Sequence, residues 1–303
     1  VELNISSMDS DGIVKMLDEN KPTILKLVRK AYPTTKFVPL NPRNRRERAR
    51  MIAVQLRMQL ALERSLTRSM TAAITRQATI AATAYLEETN DTAAARAAIV
   101  AVNETLSDIR KTLETFYRSV YEKVGRPAIN SIQGKQESVR IETKDVDSEF
   151  IRRQKEYIAE NGLKKAEAIS ETTKRKINRI IVNGISEGKG PRDVARGIVS
   201  SISGTGRQTA RTRSIMIART ETHSAANSAM NDAIGSTGFS PIKEWGTVED
   251  GRVRPDHEAA DGQRVGFNES FSIGADTLKF PGDPRGPASQ IVQCRCVLLY
   301  RTE

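Results

Sequence analysis

Histidine and cysteine are nearly absent: the 303 residues include only His223, His257, Cys294 and Cys296. Two cysteines one residue apart cannot build a disulfide framework, which points to a reducing compartment. Aromatic residues make up only 5%, so the apolar material is mostly Ala, Ile, Val and Leu. That composition suits helices with thin seams rather than one thick core. No stretch approaches the roughly 20 consecutive apolar residues needed to span a bilayer, and the first residues lack the basic, apolar, small-residue order of a secretory signal. The expectation is a protein with no membrane partner, made in the cytosol and kept there or in a particle assembled there.

The rest is an ordinary globular balance, 38% hydrophobic and 28% charged, enough for one large or two ordinary domains. Lys and Arg number 48 against 37 Asp and Glu, leaving a net charge of +11 and a pI near 9.7. A polyanion or an acidic protein surface is a natural neighbour, which is a statement about partners and not about fold.

Residues 1–43 read as a mixed lead-in, where Pro33, Pro39 and Pro42 oppose one continuous helix. From Asn44 to Glu88 neither Pro nor Gly occurs, and two ladders, Ile52, Leu56, Leu60 and then Leu62, Leu66, Met70, Ile74, step by four residues. The spacing predicts one long helix. A second is expected from a cap at Asp91 to Gly125, where Gly125-Arg126-Pro127 stops it. Its seam is Ile99, Val102, Leu106, Ile109, Leu113, Phe116, Val120 and Val124. The pair reads as an antiparallel helical hairpin. Helical pattern resumes from Asp145 to Gly188, interrupted at Asn161-Gly162, and the basic helical arm is placed at 44–163.

Gly188-Lys189-Gly190-Pro191 ends that pattern and sets Pro191 at the first position of a new helix, with another from Gln208 to Ile234. Beyond Gly235 the chain alternates: a strand at Ile242–Val248, a hairpin at Phe271–Phe280 and a closing strand at Val292–Tyr300. The fold class is α+β, a long, mainly α-helical N-terminal arm followed by a compact module of helix and small antiparallel sheet at 164–303. Its caps and turns are locally consistent, so the module is expected to fold alone.

On a strand Cys294 and Cys296 face the same side. With His257, and with Asp256, Asp261, His223 or water as a fourth ligand, they could hold zinc tetrahedrally. One Cys-x-Cys and one distant histidine fall short of the usual two-pair signature, so the leading reading is cofactor-free: small core thiols beside a hydrogen-bonded histidine. Arg219 and Glu221, two apart on a helix, cannot pair with each other. Glu249 or Asp250 is the expected partner of Arg219, and Arg252 or Arg254 that of Glu221. No nucleophile with its base stands beside them, so no enzyme is expected. Gly188-Lys189-Gly190 and Gly204-Thr205-Gly206 match neither a P-loop nor a dinucleotide fingerprint and read as hinges. Arg43, Arg45, Arg46, Arg48, Arg50, Arg57, Arg64 and Arg68 oppose only Glu47 and Glu63. This one-sidedness suggests contact with DNA phosphates, independent of sequence, or with an acidic protein.

Four separated segments occur in a fixed order: IARTETHSAANSA (217–229), KEWGTVEDGRVRPDHEAADGQRV (243–265), KFPGDPRGP (279–287) and QCRCVLLY (293–300). Together they resemble the phage Mu F-like head morphogenesis domain over roughly Lys164 to Tyr300. The family pattern falls on Arg219, Thr220, Glu221, Trp245, Asp250, Arg252, Arg254, His257, Gly262, Gln263, Pro281, Gly282, Asp283, Cys294, Arg295 and Cys296. Gln293 departs from it, since Asn usually precedes this Cys-Arg-Cys. The resemblance implies a minor capsid protein of a tailed phage, located in the head interior near the portal and assisting head assembly, DNA packaging or DNA delivery. Its implied partners are the portal protein, the major capsid or scaffolding protein, and packaged double-stranded DNA. The alternatives are a phage-delivered effector or enzyme carried by such a domain, and a non-specific DNA-binding protein.

Overall fold

A computed structural model describes residues 41–42, 44–133, 143–204, 209–248 and 250–301. Most of the lead-in expected at 1–43 lies outside the described residues, as do Arg43 and Glu249.

The first long helix, α1 (Arg45–Leu86), starts at Asn44, whose side chain accepts the Glu47 N–H at 2.9 Å. Its second ladder, Leu62, Leu66, Met70 and Ile74, is buried as expected, followed by Ala78, Ala81, Ala82 and Tyr85. The first ladder is not. Ile52 is buried and Leu56 half-buried, but Leu60 is 46% exposed. The seam here steps by three and four, Ile52, Gln55, Gln59 and Leu62, so Gln55 and Gln59 are buried in place of Leu56 and Leu60.

The second helix of the hairpin is capped by Asn90, one residue before the expected Asp91. It runs as α2 (Asp91–Glu104) and, after a break at Thr105, α3 (Leu106–Val120). The expected stop at Gly125 does not occur. A π-helical turn (Tyr121–Gly125) leads directly into α4 (Arg126–Gln133). Pro127 is the second residue of α4, directly after a π turn in which the Arg126 N–H reaches back to the Tyr121 carbonyl. A Cβ on Gly125 would lie 2.4 Å from Cζ of Phe150, so glycine is needed here for close packing and not for termination.

Helix α5 (Thr143–Ser186) continues through Asn161-Gly162, with Asn161 Nδ2 bonded back to the Tyr157 carbonyl at 2.9 Å. The division expected between 163 and 164 therefore falls inside one helix. It also falls inside one core, because a single apolar cluster runs from Leu62 through Tyr157 and Ile198 to Tyr300.

After α6 (Pro191–Ser203) comes α7 (Ala210–Ser236), capped by Thr209. It packs on α1, α3, α4, α5, α6 and the π turn, which leaves few of its residues exposed. The rest is α+β as expected: β1 (Ile242–Gly246), α8 (Pro255–Ala259), β2 (Arg264–Val265), β3 (Phe271–Ile273), β4 (Asp276–Leu278), α9 (Ala288–Ile291) and β5 (Val297–Arg301). The antiparallel sheet has the order β2-β1-β5, with Trp245 opposite Leu298, and β3 and β4 form the expected hairpin. The closing strand is shorter than expected. Gln293 has φ +56, and the turn it makes leaves Cys294–Cys296 outside the ladder.

Candidate metal centre and arginine face

Although Cys294 and Cys296 are not on a strand, the turn before β5 brings both thiols to His257 on α8. Nδ1 of His257 is 3.3 Å from Cys296 Sγ and 3.5 Å from Cys294 Sγ, and all three residues are buried. The same imidazole meets Trp245 edge-on, with ring centroids 5.4 Å apart, and Trp245 meets Phe271 likewise at 5.3 Å. Its other nitrogen, Nε2, lies 3.0 Å from Gln290 Oε1. Gln290 Nε2 donates to Asp256 at 3.1 Å and to Asp276 at 3.2 Å, which obliges Oε1 to face the imidazole. The amide oxygen can only accept, so His257 carries its proton on Nε2 and turns the Nδ1 lone pair toward the thiols.

The two thiols are electrostatically unequal. Cys294 is held well below the usual thiol range, chiefly by a hydrogen bond from Cys296, with burial opposing and His223 and His257 adding to the effect. Cys296 is pushed up by that same bond and by burial. The segment is fixed by Arg295, which forks onto Asp250 with two bonds of 2.6 Å, and by Arg254, which donates to the Val292 carbonyl.

Other family-pattern residues build the frame around this cluster. Thr220 Oγ1 accepts the Gln293 N–H at 3.1 Å, and Arg219 reaches Gln293 Oε1 at 3.3 Å. Gln293 thus serves the turn through its backbone. Its positive φ is one that Asn adopts more readily than Gln, a physical reason for Asn at this position. Gln263 bonds both backbone groups of Ser272, and Gly262 donates to the Trp245 carbonyl. Asp283 accepts the Lys279 and Arg285 N–H groups. Gly282 has φ +77, and a Cβ there would lie 2.6 Å from the His223 ring. Its carbonyl accepts the Ser224 hydroxyl, and the Pro281 carbonyl accepts Asn227 Nδ2 at 2.9 Å.

Among the described residues, the expected ion pairs are not formed. Arg219 pairs with Glu63 at 3.3 Å, while Asp250 takes Arg295 and, at 3.6 Å, the exposed Arg252. Glu221 turns away from the metal-type cluster, accepting the Tyr117 hydroxyl at 2.7 Å and facing Lys165 at 3.5 Å. The reason is packing, since the helix turn that aims Arg219 at α1 and Gln293 aims Glu221 into the α3–α5 interface. Burial and the Glu221 charge push the Tyr117 phenol well above its usual range, so it stays a donor. Tyr117, Tyr121, Tyr157, Asn227 and Gln290 carry much of this polar interior, and no local pattern singles them out.

The arginine series of α1 divides in two. Arg48 Nε donates to Glu244 at 2.9 Å and its Nη2 to Asp261 at 2.7 Å, with its side chain only 11% exposed. It therefore ties α1 to the sheet and is no part of an outer surface. Arg45, Arg46, Arg50, Arg57, Arg64 and Arg68 are exposed. At about 100° per residue, Arg46, Arg50, Arg57, Arg64 and Arg68 fall within a sector of about 40°, and they span roughly 33 Å of helix.

Residues 175–299 match the family described as "Phage Mu protein F like protein", so the C-terminal part of this chain is a Mu F-like domain. Among curated proteins, the chain is 31% identical over 122 residues to the NAD(+)--arginine ADP-ribosyltransferase EFV of Enterococcus faecalis (strain ATCC 700802 / V583), covering 39% of this chain and 24% of that protein. It is 26% identical over 146 residues to the uncharacterized protein YqbB of Bacillus subtilis (strain 168), covering 47% of this chain and 46% of that one. The chain thus spans less than half the length of either relative. No solved structure matches. No helix among the described residues is long and apolar enough to cross a membrane.

Proposed function

We propose that this chain is a minor head protein of a tailed phage, that it joins the head interior at the portal during assembly, and that it assists packaging or delivery of DNA. The observation that carries the reading is the Mu F-like match at 175–299 on a module whose family-pattern residues build a frame. Asp250, Gln263, Asp283 and Arg295 are spent on backbone and ion-pair contacts that hold turns. The stretch shared with the ADP-ribosyltransferase is 24% of that protein, too little to bring its activity to this chain.

The exposed arginines of α1 supply the second element. A basic strip of roughly 33 Å is close to one turn of duplex DNA, about 34–36 Å. Such a strip engages phosphates without reading bases. Mass spectrometry of purified virions tests the main reading, which expects the chain at a fixed copy number; its absence from particles would overturn it. For the strip, replacing Arg57, Arg64 and Arg68 together with Gln should reduce the slope of log affinity against log salt by about 3, close to one per lost phosphate contact. An unchanged slope would assign the strip to an acidic protein surface such as the portal.

A further inference from the structure

We propose that His257 Nδ1 and the sulfurs of Cys294 and Cys296 bind one zinc ion, with the fourth tetrahedral position left to solvent. The donor atoms lie within 4.8 Å of one another, with N···S separations of 3.3 and 3.5 Å. Tetrahedral zinc, with Zn–S about 2.3 Å and Zn–N about 2.05 Å, places N and S roughly 3.6 Å apart. The cluster is therefore already close to ligating geometry.

Distance alone does not separate a metal site from thiols donating to a histidine; the convergence of the ligands and the way the imidazole is held favour the metal. One Nδ1 lone pair can accept one S–H, whereas two sulfurs converge on it. The imidazole is held as metal-binding histidines are, with its remote N–H on Gln290 and Gln290 clamped by Asp256 and Asp276.

Two thiolates neutralise a divalent ion, which makes burial affordable, and soft sulfur donors select zinc over magnesium or calcium. A cavity of about 10 Å³ lined by His257, Cys294, Cys296, Arg254 and Gln293 is about the size of one water. The other candidates for a fourth protein ligand are engaged. Asp256 accepts from Gln290, and Asp261 accepts from Arg48 and the Thr247 N–H. His223 places Nδ1 at 3.3 Å from Gln59 Oε1 and Nε2 at 3.2 Å from Asn227 Nδ2. Binding releases the thiol protons to solvent and links α8 to the turn before β5, so metal energy becomes folding energy.

The test uses the full chain, expressed with zinc in the medium and purified under reducing conditions without a metal-affinity step. The expected result is about one zinc per chain, a lower Tm after chelation and recovery when zinc is returned. Cobalt substituted for zinc should show the intense absorption of a tetrahedral thiolate site. His257→Ala, Cys294→Ser and Cys296→Ser should each lose the metal, while His223→Gln, with the fold retained, should keep it. Should a variant fail to fold, the wild-type chelation cycle and the cobalt spectrum still decide. Metal-free protein that takes up no zinc and melts unchanged with chelator would overturn the proposal. So would a Cys294–Cys296 disulfide in freshly reduced protein, or loss of zinc in folded His223→Gln.

Discussion

Helices α1 and α7 are both deeply packed, yet they are buried in opposite ways. The inner face of α1 is an apolar ladder from Leu62 to Ile74 that becomes an alanine seam toward Tyr85, and most of its charge is kept outside, Arg48 excepted. Helix α7 buries Thr220, Glu221, His223, Ser224, Asn227 and Ser228 among its alanines. Burial without partners would be costly for these groups, but nearly all are matched by partners remote in sequence. Tyr117 donates to Glu221, Ser224 donates to the Gly282 carbonyl, and Asn227 binds the Pro281 carbonyl and accepts the Leu298 N–H. Hydrophobic matching is tolerant of partner identity, whereas hydrogen-bond matching requires particular atoms at particular places. The first helix could pack on many surfaces, and the second fits this one.

The largest expected effect comes from separating the two. A fragment of residues 164–303 keeps α7 but loses α1, Tyr117, Tyr121 and Tyr157, and it cuts α5 in mid-helix. The prediction is no cooperative thermal transition by circular dichroism for 164–303 and a cooperative one for 44–303. Cooperative melting of the short fragment would show that α7 does not depend on its remote partners.

A smaller effect is expected at Glu244, where arginines from α1, β2 and β5 converge on a carboxylate only 2% exposed. Burial pushes its pKa up, but hydrogen bonds from Arg301 and Arg48 outweigh burial and hold it below the usual range. A carboxylate depressed in the folded state stabilises above its unfolded pKa, about 4.3. That stabilisation is lost as pH falls through the folded value. Glu244→Gln should cost about 3 kcal/mol at neutral pH in urea unfolding and flatten the acid limb of stability against pH. Arg57→Gln, on α1 but exposed, should stay within about 0.5 kcal/mol of wild type. Equal costs at the two sites would erase the distinction between the inner and outer arginines.

The smallest of the three concerns Tyr117→Phe, which removes a donor to a buried carboxylate and leaves the ring packing intact. The expected loss is roughly 2 kcal/mol, measured by the urea midpoint at constant m-value. A neutral result would mean that Lys165 alone satisfies Glu221.

The sequence by itself determined the α+β class, the start of α1, the β3–β4 hairpin and the Mu F-like motif order, because periodicity, caps and turn residues act over a few positions. It misplaced the stop at Gly125 and the full length of the last strand. Whether a glycine ends a helix or admits Phe150 depends on a ring 25 residues away, and the turn that ends pairing rests on Thr220. Only the tertiary structure sorted Arg48 from Arg57, joined the arm and the module in one core, and set His257 against two thiols with its bare nitrogen inward. Each of these depends on atoms from distant segments meeting within about 3.5 Å, the range of a hydrogen bond, and one-dimensional spacing does not encode that meeting.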